Sequence, residues 1–556
     1  MIHKANVSVG LLLAALFCFP AMMMAQGLTV SATQLNFGVA YENAPDSLQL
    51  TISNPTSKDI TVTHVRFYDT YNVPAFSVAD DYMFIPAGNS FTTWVKFSPR
   101  HNILHNTEMV LENNSLRGYV SVDLIGQGRY SNSYYNQTEN QSEEALKTAI
   151  HTVTTSGYIS LGYNIARDTM FMIVDNQRYN GQGASQNTLE CIYTGRLAVG
   201  YVDRSDCQTN DNFNTEHTFP QSLFSSAEPM KSDLHHLFPT DDGANSIRGD
   251  NPFAEVNSPT WTSGGSSATN THFEPRDAQK GQTARALLYF ILRYQNYSNF
   301  VDAAQQTVLL NWHDAFPPLT VEKNRNSAIQ RTQHNRNPFV DYPQFVERIH
   351  SFINTSTAPV DFSYDLTQDT IVFGYVLPNT PADFNYVIEN KGNTVIDISN
   401  IQITHPTELS IVSGGSNTSI QPGEAHNVGI HFLSTNTDSV RAFLSFHLAQ
   451  SGGAGQANAT IPVFVNDDQF NSVQQIISKT FSVYPNPVDS RLYIDAIDGS
   501  LPADYQLISS DGKVVMTHHG NIAEDFSLDV SELPAGIYLL KSVSSTSVSV
   551  SAVSVY

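Results

Sequence analysis

The stretch from Phe213 to Asp250 concentrates the residue types that could do chemistry. Glu216 stands directly before His217, and Asn245 follows near the end of the stretch. A carboxylate and an amide oxygen suit a hard cation such as Mg²⁺, which keeps several waters and needs few protein ligands. A neutral imidazole is an effective general base near neutral pH. The set therefore suits metal-assisted hydrolysis of a phosphodiester, in which a cation neutralises charge while a base activates water.

The backbone at Glu216 and His217 must meet a geometric condition if both residues are to serve one site. Neighbouring residues on a regular strand point to opposite faces. We therefore expect the backbone to bend between them, and Pro220 makes an irregular strand end plausible nearby.

A second strand and a short helix are needed to bring Asn245 close to Glu216. Asp241 or Asp242 can cap the start of such a helix, and Gly249 can end it. Arg248 then lies one turn beyond Asn245 on the same face. We predict a ββα arrangement in which Arg248 also has a catalytic role.

The residues around this set resemble the bacterial endonuclease I family of secreted and periplasmic nucleases, which have a ββα-metal (His-Me finger) site. The similar blocks are "NTEHTFP", "SDLHHLFP" and "ANSIRGDNPFAEV", followed by "FEPRDAQKGQTARALLYFILRY" and "LLNWHDAFPPLTVEKNRNSAIQRTQHNRNPFVDYP". Several ordered blocks are far more specific than a single Glu-His pair. No phosphate-binding Gly-rich loop, H-E-x-x-H or G-x-S-x-G motif competes with this interpretation.

The resemblance implies roles for individual residues. His217 would be the general base that deprotonates water, while Glu216 and Asn245 would hold one Mg²⁺, with Ca²⁺ or Mn²⁺ as alternatives. The sequence departs from the family pattern at His236, where Asn is usual, and at His334, where Gly is common.

Three arginines are weaker candidates for binding substrate phosphate. Arg276, Arg325 and Arg336 lie in a segment where basic residues outnumber acidic ones, and guanidinium matches phosphate geometry. The alternative for each is a structural ion pair, for instance between Glu322 and Arg325 one helical turn apart.

Asp233 and His235 are predicted to support the site by buttressing the helix or orienting His217, with structural packing as the alternative. A zinc site built from the histidines is disfavoured, because the sequence has no zinc-ligand spacing. Cys191 and Cys207 are an even pair in a chain predicted to be exported, which favours a disulfide over two buried thiols.

The N-terminal residues 1–25 have the pattern of a secretory signal peptide. Lys4 precedes an apolar run that ends in a small residue at Ala25, and Pro20 interrupts the run too early for a membrane span. We expect no transmembrane segment in the mature chain. The net charge of −23 argues against a protein that coats nucleic acid by bulk electrostatics.

Two segments outside the middle of the chain resemble each other. "LNFGVAYENAPDSLQLTISNPTSKDITVTHVRF" and "IVFGYVLPNTPADFNYVIENKGNTVIDISNIQI" share an order of strands and Gly, Pro and Asn turns. Short strands at regular spacing predict β-sandwiches, which we assign as immunoglobulin-like modules at 27–129 and 358–466.

The regions between and after these modules differ from them. Residues 130–355 hold helical patterns in "SEEALKTAIHTVTTS", "AQKGQTARALLYFILRYQNY" and "YPQFVERIHSFI", and form the predicted nuclease domain. Residues 477–556 contain "YPNP", "DGK" and "LPAGIYLL", which resemble the C-terminal sorting domain of the type IX secretion system. Asp511–Gly512 predicts a hairpin there.

The predicted fold class is multidomain. An α+β ββα-metal nuclease domain is flanked by all-β immunoglobulin-like sandwiches and followed by a β-sandwich sorting domain. The expected protein is a secreted or cell-surface, largely sequence-nonspecific endonuclease acting on DNA, and also on RNA as an alternative, to give 5′-phosphate products. It would use the type IX machinery. The competing hypotheses are an adhesion protein with an inactive middle domain and a phosphodiesterase for small molecules.

Overall fold

The computed structural model describes most of the chain outside its N-terminal segment. The predicted signal peptide and the Asp511–Gly512 hairpin signal lie outside the described residues. The described ranges are 27–67, 74–115, 119–467, 481–496, 504–509, 513–519, 527–531, 533–543 and 548–556.

The first region is a β-sandwich. Its sheets have the strand orders β1-β3-β7-β5 and β2-β9-β8-β4-β6, and they enclose a shared core that includes Leu50, Phe76 and Phe97. In β7, buried and exposed residues alternate toward its end, as expected for a strand with one face on a core. The strands are β1 (Thr29–Val30), β2 (Gln34–Tyr41), β3 (Asp46–Ser53), β4 (Ile60–Phe67), β5 (Phe76–Val78), β6 (Met83–Ile85), β7 (Ser90–Phe97), β8 (Leu104–Asn113) and β9 (Tyr119–Arg129).

The middle region is mainly helical, with short strand pairs between the helices. Its helices are α1 (Glu143–Thr155), α2 (Tyr163–Thr169), α3 (Arg204–Asn210), α4 (Asp242–Arg248), α5 (Asp277–Arg293), α6 (Ala303–Ala315), α7 (Thr320–Gln333) and α8 (Pro338–Asp341). Its strands are β10 (Thr188–Glu190), β11 (Leu197–Val199), β12 (Phe213–His217), β13 (Leu237–Asp241), β14 (Trp261–Ser263), β15 (Ser266–Ala268) and β16 (Phe273–Glu274).

Helix α5 is the centre of this region. Nearly all of its residues are buried, and it packs against α1, α6 and α8. Gly281 allows the close approach of the chain after α6, because a Cβ atom there would lie 2.2 Å from the carbonyl oxygen of Phe316. The stacked rings of Phe219 and Phe290, with centroids 4.2 Å apart, join α5 to the segment that follows β12.

The helical predictions for this region hold in two places and differ in a third. Helices α1 and α5 confirm the periodicity of the first two patterns. The predicted closing helix is instead a 3-10 helix, Pro343–Arg348, that ends before Ile349. The buried residues of this short helix are Phe345 and Arg348, and one of them is charged, so it has no continuous apolar face.

The second sandwich repeats the topology of the first. Its sheets have the orders β17-β19-β23-β21 and β18-β25-β24-β20-β22, so each strand occupies the place of its counterpart in the first sandwich. The strands are β17 (Tyr364–Leu366), β18 (Ile371–Val372), β19 (Ala382–Asn390), β20 (Ile396–Ile403), β21 (Leu409–Ser413), β22 (Thr418–Ile420), β23 (Ala425–Phe432), β24 (Val440–Gln450) and β25 (Gln456–Val465). The repeat predicted from sequence is confirmed at this level, while the immunoglobulin-like identity stays a prediction.

The C-terminal region forms sheets with the orders β26-β27-β30 and β29-β28-β31-β32 around a separate core. Its strands are β26 (Phe481–Tyr484), β27 (Arg491–Ala496), β28 (Asp504–Ser509), β29 (Val514–His519), β30 (Ser527–Asp529), β31 (Gly536–Val543) and β32 (Val548–Val555). Among the described residues of the whole chain, no helix is both long and apolar enough to cross a membrane.

Candidate active site

Strands β12 and β13 and helix α4 place the predicted site residues. The strands pair antiparallel with Glu216 opposite Phe238 and His217 opposite Leu237, and the ladder is regular through His217. The predicted bend between Glu216 and His217 is therefore absent. Both residues are nevertheless buried, because protein covers both faces of this two-stranded sheet.

Helix α4 begins and ends where the sequence predicts. The Asp241 carboxylate accepts a hydrogen bond of 2.8 Å from the backbone N–H of Ala244, as an N-cap does. Gly249 ends the helix with a φ of 51°, which glycine adopts without steric cost. The helix follows β13 directly in the chain, and the assignment of these elements as a ββα-metal site stays a prediction.

Glu216 lies on the α4 side of the sheet with one carboxylate oxygen held by protein. The Tyr193 hydroxyl donates to Oε1 at 2.7 Å, and the Nε atom of Arg248 lies 3.2 Å from the same oxygen. Within the described part of the chain, Oε2 has neither a hydrogen bond nor an ion pair. Burial raises the pKa of the carboxyl group, although Arg248 and Tyr193 oppose the shift. One oxygen is thus fixed, and the other is open to an additional partner.

Arg248 contacts protein groups on several sides, and its predicted catalytic role stays a prediction. Its side chain is 1% exposed and faces Glu216. The guanidinium donates to the carbonyl oxygens of Thr218 at 2.6 Å and Gly249 at 2.8 Å, and lies 4.7 Å from the Phe253 ring centroid. The Arg248 donors are directed at the protein, so this residue holds the glutamate and the end of β12 in place.

Asn245 lies on α4, one turn before Arg248, and is half-buried. Its backbone carbonyl accepts from Gly249, while its side-chain amide makes no hydrogen bond within the described residues. The amide oxygen and Oε2 of Glu216 are both hard oxygen donors that have no partner in the described part of the protein, a set that fits Mg²⁺ with water completing its shell. Nowhere in the described ranges, this site included, do three His, Cys, Asp or Glu side chains form a group that could hold a metal ion.

The His217 side chain lies on the side of β12 opposite Glu216, where it contacts residues that are not its sequence neighbours. Its Nε2 atom lies 3.1 Å from the carbonyl oxygen of Lys231, and since a carbonyl only accepts, Nε2 carries the hydrogen. The ring packs against Tyr163 and His236, with centroids 5.6 Å and 5.5 Å away. Burial lowers the pKa of His217 well below its ordinary value. The neutral ring therefore has its lone pair on Nδ1, which forms no hydrogen bond within the described residues.

Asp233 is the centre of a buried hydrogen-bond network and does not contact His217. Its carboxylate accepts from the hydroxyls of Tyr289 at 2.8 Å and Tyr294 at 2.9 Å and from Gln333 at 2.7 Å. Burial alone would raise its pKa, but Arg293, whose Nε lies 3.5 Å away, helps to hold that pKa well below its ordinary value. Asp233 joins the loop before β13 to α5 and α7, which agrees with the packing alternative.

His235 and His236 both lie beside the hairpin as buried, neutral side chains. His235 packs on Tyr289 and places Nε2 3.3 Å from the carbonyl oxygen of Asn335, away from His217. His236 donates from Nε2 to the Met230 carbonyl at 2.7 Å and contacts the His217 ring. Burial lowers the pKa of His235 to about 3 and that of His236 to about 4.

The predicted phosphate-binding arginines are all engaged in ion pairs. Arg325 pairs with Asp175, at 2.7 Å and 3.1 Å, and donates to the Leu237 carbonyl, while Glu322 pairs with Arg285 instead. Arg276 pairs with Glu190, and Arg336 pairs with Asp341 through two contacts of 2.5 Å and 2.6 Å. The ion pairs agree with the structural alternative for these three residues, while phosphate binding by them stays a prediction.

The predicted disulfide between Cys191 and Cys207 is not formed. Both are free and buried in the core of the middle region. The Cys191 sulfur faces the start of α4, where it accepts from the backbone N–H of Asp241 at 3.1 Å. Cys207 lies on α3, so the two sulfurs serve different parts of the core.

Sequence reasoning missed several residues that touch the site. Tyr193 holds Glu216, and Tyr163 packs on His217, but neither belongs to a motif with recognisable spacing. Lys231 lies within the starting stretch, yet its contribution to His217 is a backbone carbonyl, which any residue type provides. Only the folded chain brings these groups together.

The buried neutral histidines predict acid sensitivity of the middle region. The folded-state pKa of His236 is about 4, while an unfolded histidine titrates near its ordinary 6.5. Between these values the unfolded chain binds a proton that the folded chain does not, so stability falls as pH falls through this window. His236→Asn should reduce the slope of unfolding free energy against pH by up to one proton, about 1.4 kcal/mol per pH unit.

Urea unfolding from pH 4.5 to 6.5 measures that slope. A Trp94→Phe background restricts tryptophan fluorescence to Trp261 and Trp312, which lie in the middle region. His272→Asn, at an exposed histidine, is the control and should keep the parent slope. An unchanged slope in His236→Asn would show that this residue does not titrate as inferred.

Comparison with known proteins agrees with this geometry. The endonuclease I family matches residues 138–344, and the secretion system C-terminal sorting domain matches residues 482–555. The extracellular ribonuclease of Bacillus amyloliquefaciens is 30% identical over 234 residues, covering 39% of this chain and 78% of that protein. An extracellular ribonuclease of Bacillus subtilis (strain 168) is 28% identical with the same coverages.

A shorter match extends the comparison to a second kind of nuclease. An extracellular deoxyribonuclease of Aeromonas hydrophila is 29% identical over 144 residues, covering 25% of this chain and 56% of that protein. The sorting domain and the extracellular relatives together indicate a secreted or cell-surface protein. With the matched region containing β12, β13 and α4, the chain belongs to the endonuclease I family.

Proposed function

We propose that this protein is a metal-dependent endonuclease that hydrolyses phosphodiester bonds of DNA, and of RNA, largely without sequence preference. The observation that carries the proposal is the neutral His217, which is fixed through Nε2 and follows Glu216 directly in the sequence. Among the residues that the structure describes, Nδ1 of His217 and Oε2 of Glu216 have no partner. Hydrolysis of a phosphodiester by water uses a general base and a cation, and these two residues would supply the base and one cation ligand from opposite sides of the hairpin.

His217 is the general base of this proposal. Its Nδ1 lone pair takes the proton from the attacking water, and the Lys231 carbonyl, which accepts from Nε2, stabilises the positive charge that the ring then gains. Because burial keeps the free imidazole neutral, the base is ready over the whole neutral pH range.

Glu216 and Asn245 would hold one Mg²⁺, with Ca²⁺ or Mn²⁺ as alternatives. A bound cation supplies neutralisation of the charge that develops on phosphate and leaving oxygen. Arg248 and Tyr193 keep Oε1 of Glu216 fixed, which orients Oε2. Loss of the 3′-oxygen would give 5′-phosphate ends.

The substrate class is proposed from the relatives and from the side chains present. The Bacillus relatives are ribonucleases and the Aeromonas relative is a deoxyribonuclease, so both polymers are candidate substrates. Sequence preference is expected to be weak, because contacts to phosphate carry no base information.

The flanking regions are proposed to serve export and presentation. Residues 27–129 and 358–466 would be immunoglobulin-like modules around a nuclease domain at 130–355, and residues 477–556 would direct the chain to the type IX machinery. The repeated sandwich topology and the sorting-domain match support this arrangement.

Metal removal tests the function. Purified protein is expected to degrade plasmid DNA and ribosomal RNA in Mg²⁺, to lose activity in EDTA, and to regain it when Mg²⁺ is restored in excess. Gel assays on both polymers, repeated with Ca²⁺ and Mn²⁺, measure this and rank the metals. Cleavage that continues undiminished in EDTA would contradict the metal-dependent mechanism, and no cleavage under any condition would contradict the function.

A further inference from the structure

Two cations surround the tyrosine that packs on His217. The guanidinium carbon of Arg167 lies 4.2 Å from the centroid of the Tyr163 ring, and the Lys231 ammonium lies 4.7 Å from the same centroid. Arg167 is one turn beyond Tyr163 on α2, whereas Lys231 comes from the short helix Met230–Ser232 before β13. The ring thus gathers positive charge from two separate elements.

Among the described residues, these cations differ from most others in the middle region because no carboxylate pairs with them. Within the described residues, Arg167 contacts only the Asn164 amide among polar side chains, at 2.7 Å, and its buried Nε lacks a hydrogen-bond partner. Lys231 likewise forms no ion pair in the described part of the chain. By contrast, carboxylates pair with Arg204, Arg276, Arg285, Arg293, Arg325 and Arg336.

Unpaired positive charge has a cost in folding that a ligand can offset. Two like charges near one ring repel each other, and the ring's negative face compensates only in part. The chain carries a net charge of −23, so carboxylates were abundant as partners, yet none approaches this pair among the described residues. An anion is the missing partner that the arrangement fits.

The location specifies which anion. Tyr163 is 5.6 Å from the His217 ring, between centroids, and the backbone of Lys231 accepts the His217 Nε2 hydrogen. The cations therefore lie on the His217 side of the hairpin, beyond the proposed base and on the face opposite Glu216 and Asn245. A polynucleotide has phosphates on both sides of the one that is cleaved, so a neighbouring backbone phosphate is the candidate anion for these cations.

We propose that Arg167 and Lys231 form a flanking-phosphate subsite that binds a backbone phosphate neighbouring the one being cleaved. The inference rests on the proposed nuclease function and adds to it a named binding group. Arg167 provides planar donors and Lys231 a point charge, both of which suit phosphate oxygens. The subsite favours a polynucleotide over a small phosphodiester, and because it reads only phosphate it is indifferent to base sequence.

The test compares a polymer with a minimal diester. In the full-length protein, Arg167→Gln/Lys231→Gln should lower kcat/KM on a 20-nucleotide duplex by about tenfold more than on bis(4-nitrophenyl) phosphate, which has no flanking phosphate. The slope of log kcat/KM on the duplex against log salt should fall by about 1, because the variant loses its contact with one phosphate.

A charge-matched control separates local from general electrostatics. Lys323→Gln/Arg331→Gln removes two exposed cations on α7 that contact neither Tyr163 nor His217, and should leave both quantities near those of the parent. Equal losses on both substrates, or a salt slope like that of the control, would overturn the subsite. If the parent protein cleaves neither substrate, the proposed function fails and the subsite fails with it; if the parent cleaves both, only the subsite is at issue.

Discussion

His217→Ala is expected to fold normally and to lose about 10²–10⁴-fold in kcat, the usual contribution of a positioned general base. The substitution removes the Nδ1 lone pair, while Glu216 and Asn245 keep their contacts on the other face of the hairpin. Single-turnover cleavage of a labelled duplex in saturating Mg²⁺ measures the chemical step directly.

The control for His217→Ala is a second histidine substitution in the same region. His272→Ala removes an exposed imidazole bonded only to Thr271 within the described residues, and should keep near-normal turnover. Circular dichroism and Mg²⁺ binding should match the parent in both variants. Near-normal turnover in His217→Ala would show that this residue is not the general base, independently of metal binding.

Added imidazole gives a second readout of the same role. The Ala variant leaves space against Tyr163 and His236 where a free imidazole can bind beside the Lys231 carbonyl. Partial recovery of activity that saturates with imidazole concentration would support proton transfer at this position. If His217 had a purely structural role, better refolding conditions would restore activity and added imidazole would not.

Local sequence signals predicted the elements that carry the site. The capping of α4 by Asp241 and its end at Gly249 depend on residues within one turn, so the sequence alone contains the information. The same is true of α5, whose apolar periodicity extends over several turns. Capping residues and helix propensity act over such short distances in sequence, so they can be recognised without the structure.

The roles of the arginines could not be predicted, because their partners are distant in sequence. Arg325 binds Asp175 from 150 positions away, and Arg276 binds Glu190 from 86 positions away. In the folded chain a buried guanidinium without a counter-charge would be costly, so the nearest carboxylate in space determines its role. Sequence proximity suggested Glu322 for Arg325, but that carboxylate instead binds Arg285.

The absent bend at Glu216–His217 has a similar cause. We expected a bend because neighbouring residues on a regular strand point to opposite faces, and both residues were predicted to serve one site. Strand β13 is buried along most of its length, so both faces of the hairpin are interior. Each residue can therefore be buried and positioned from its own side, Glu216 by Arg248 and His217 by the Lys231 carbonyl.

Glu216→Gln is expected to lower activity by at least about 100-fold, since even outer-shell partners of a metal cost 10–100-fold in affinity or activity. The amide keeps an acceptor oxygen for Tyr193 but provides a weaker, uncharged ligand. Mg²⁺ should raise the Tm of the parent, because a ligand that binds only the folded state stabilises it. The stabilisation is about 2.7 kcal/mol when the Mg²⁺ concentration is 100 times Kd. That increase should be absent or greatly reduced in the variant.

The Glu216 substitution has a second consequence, because Arg248 is 1% exposed and would lose its counter-charge. Breaking a buried ion pair typically costs about 3–5 kcal/mol, so the variant should be less stable even without metal. Asp314→Asn is the matched control, since this exposed carboxylate on α6 has no ion pair within the described residues. The control should retain both activity and the Mg²⁺-dependent rise in Tm.

If Glu216→Gln lost metal-free stability but kept its activity and its Mg²⁺ response, the glutamate would serve only to neutralise Arg248. Loss of both metal response and cleavage would establish Oε2 as the ligand.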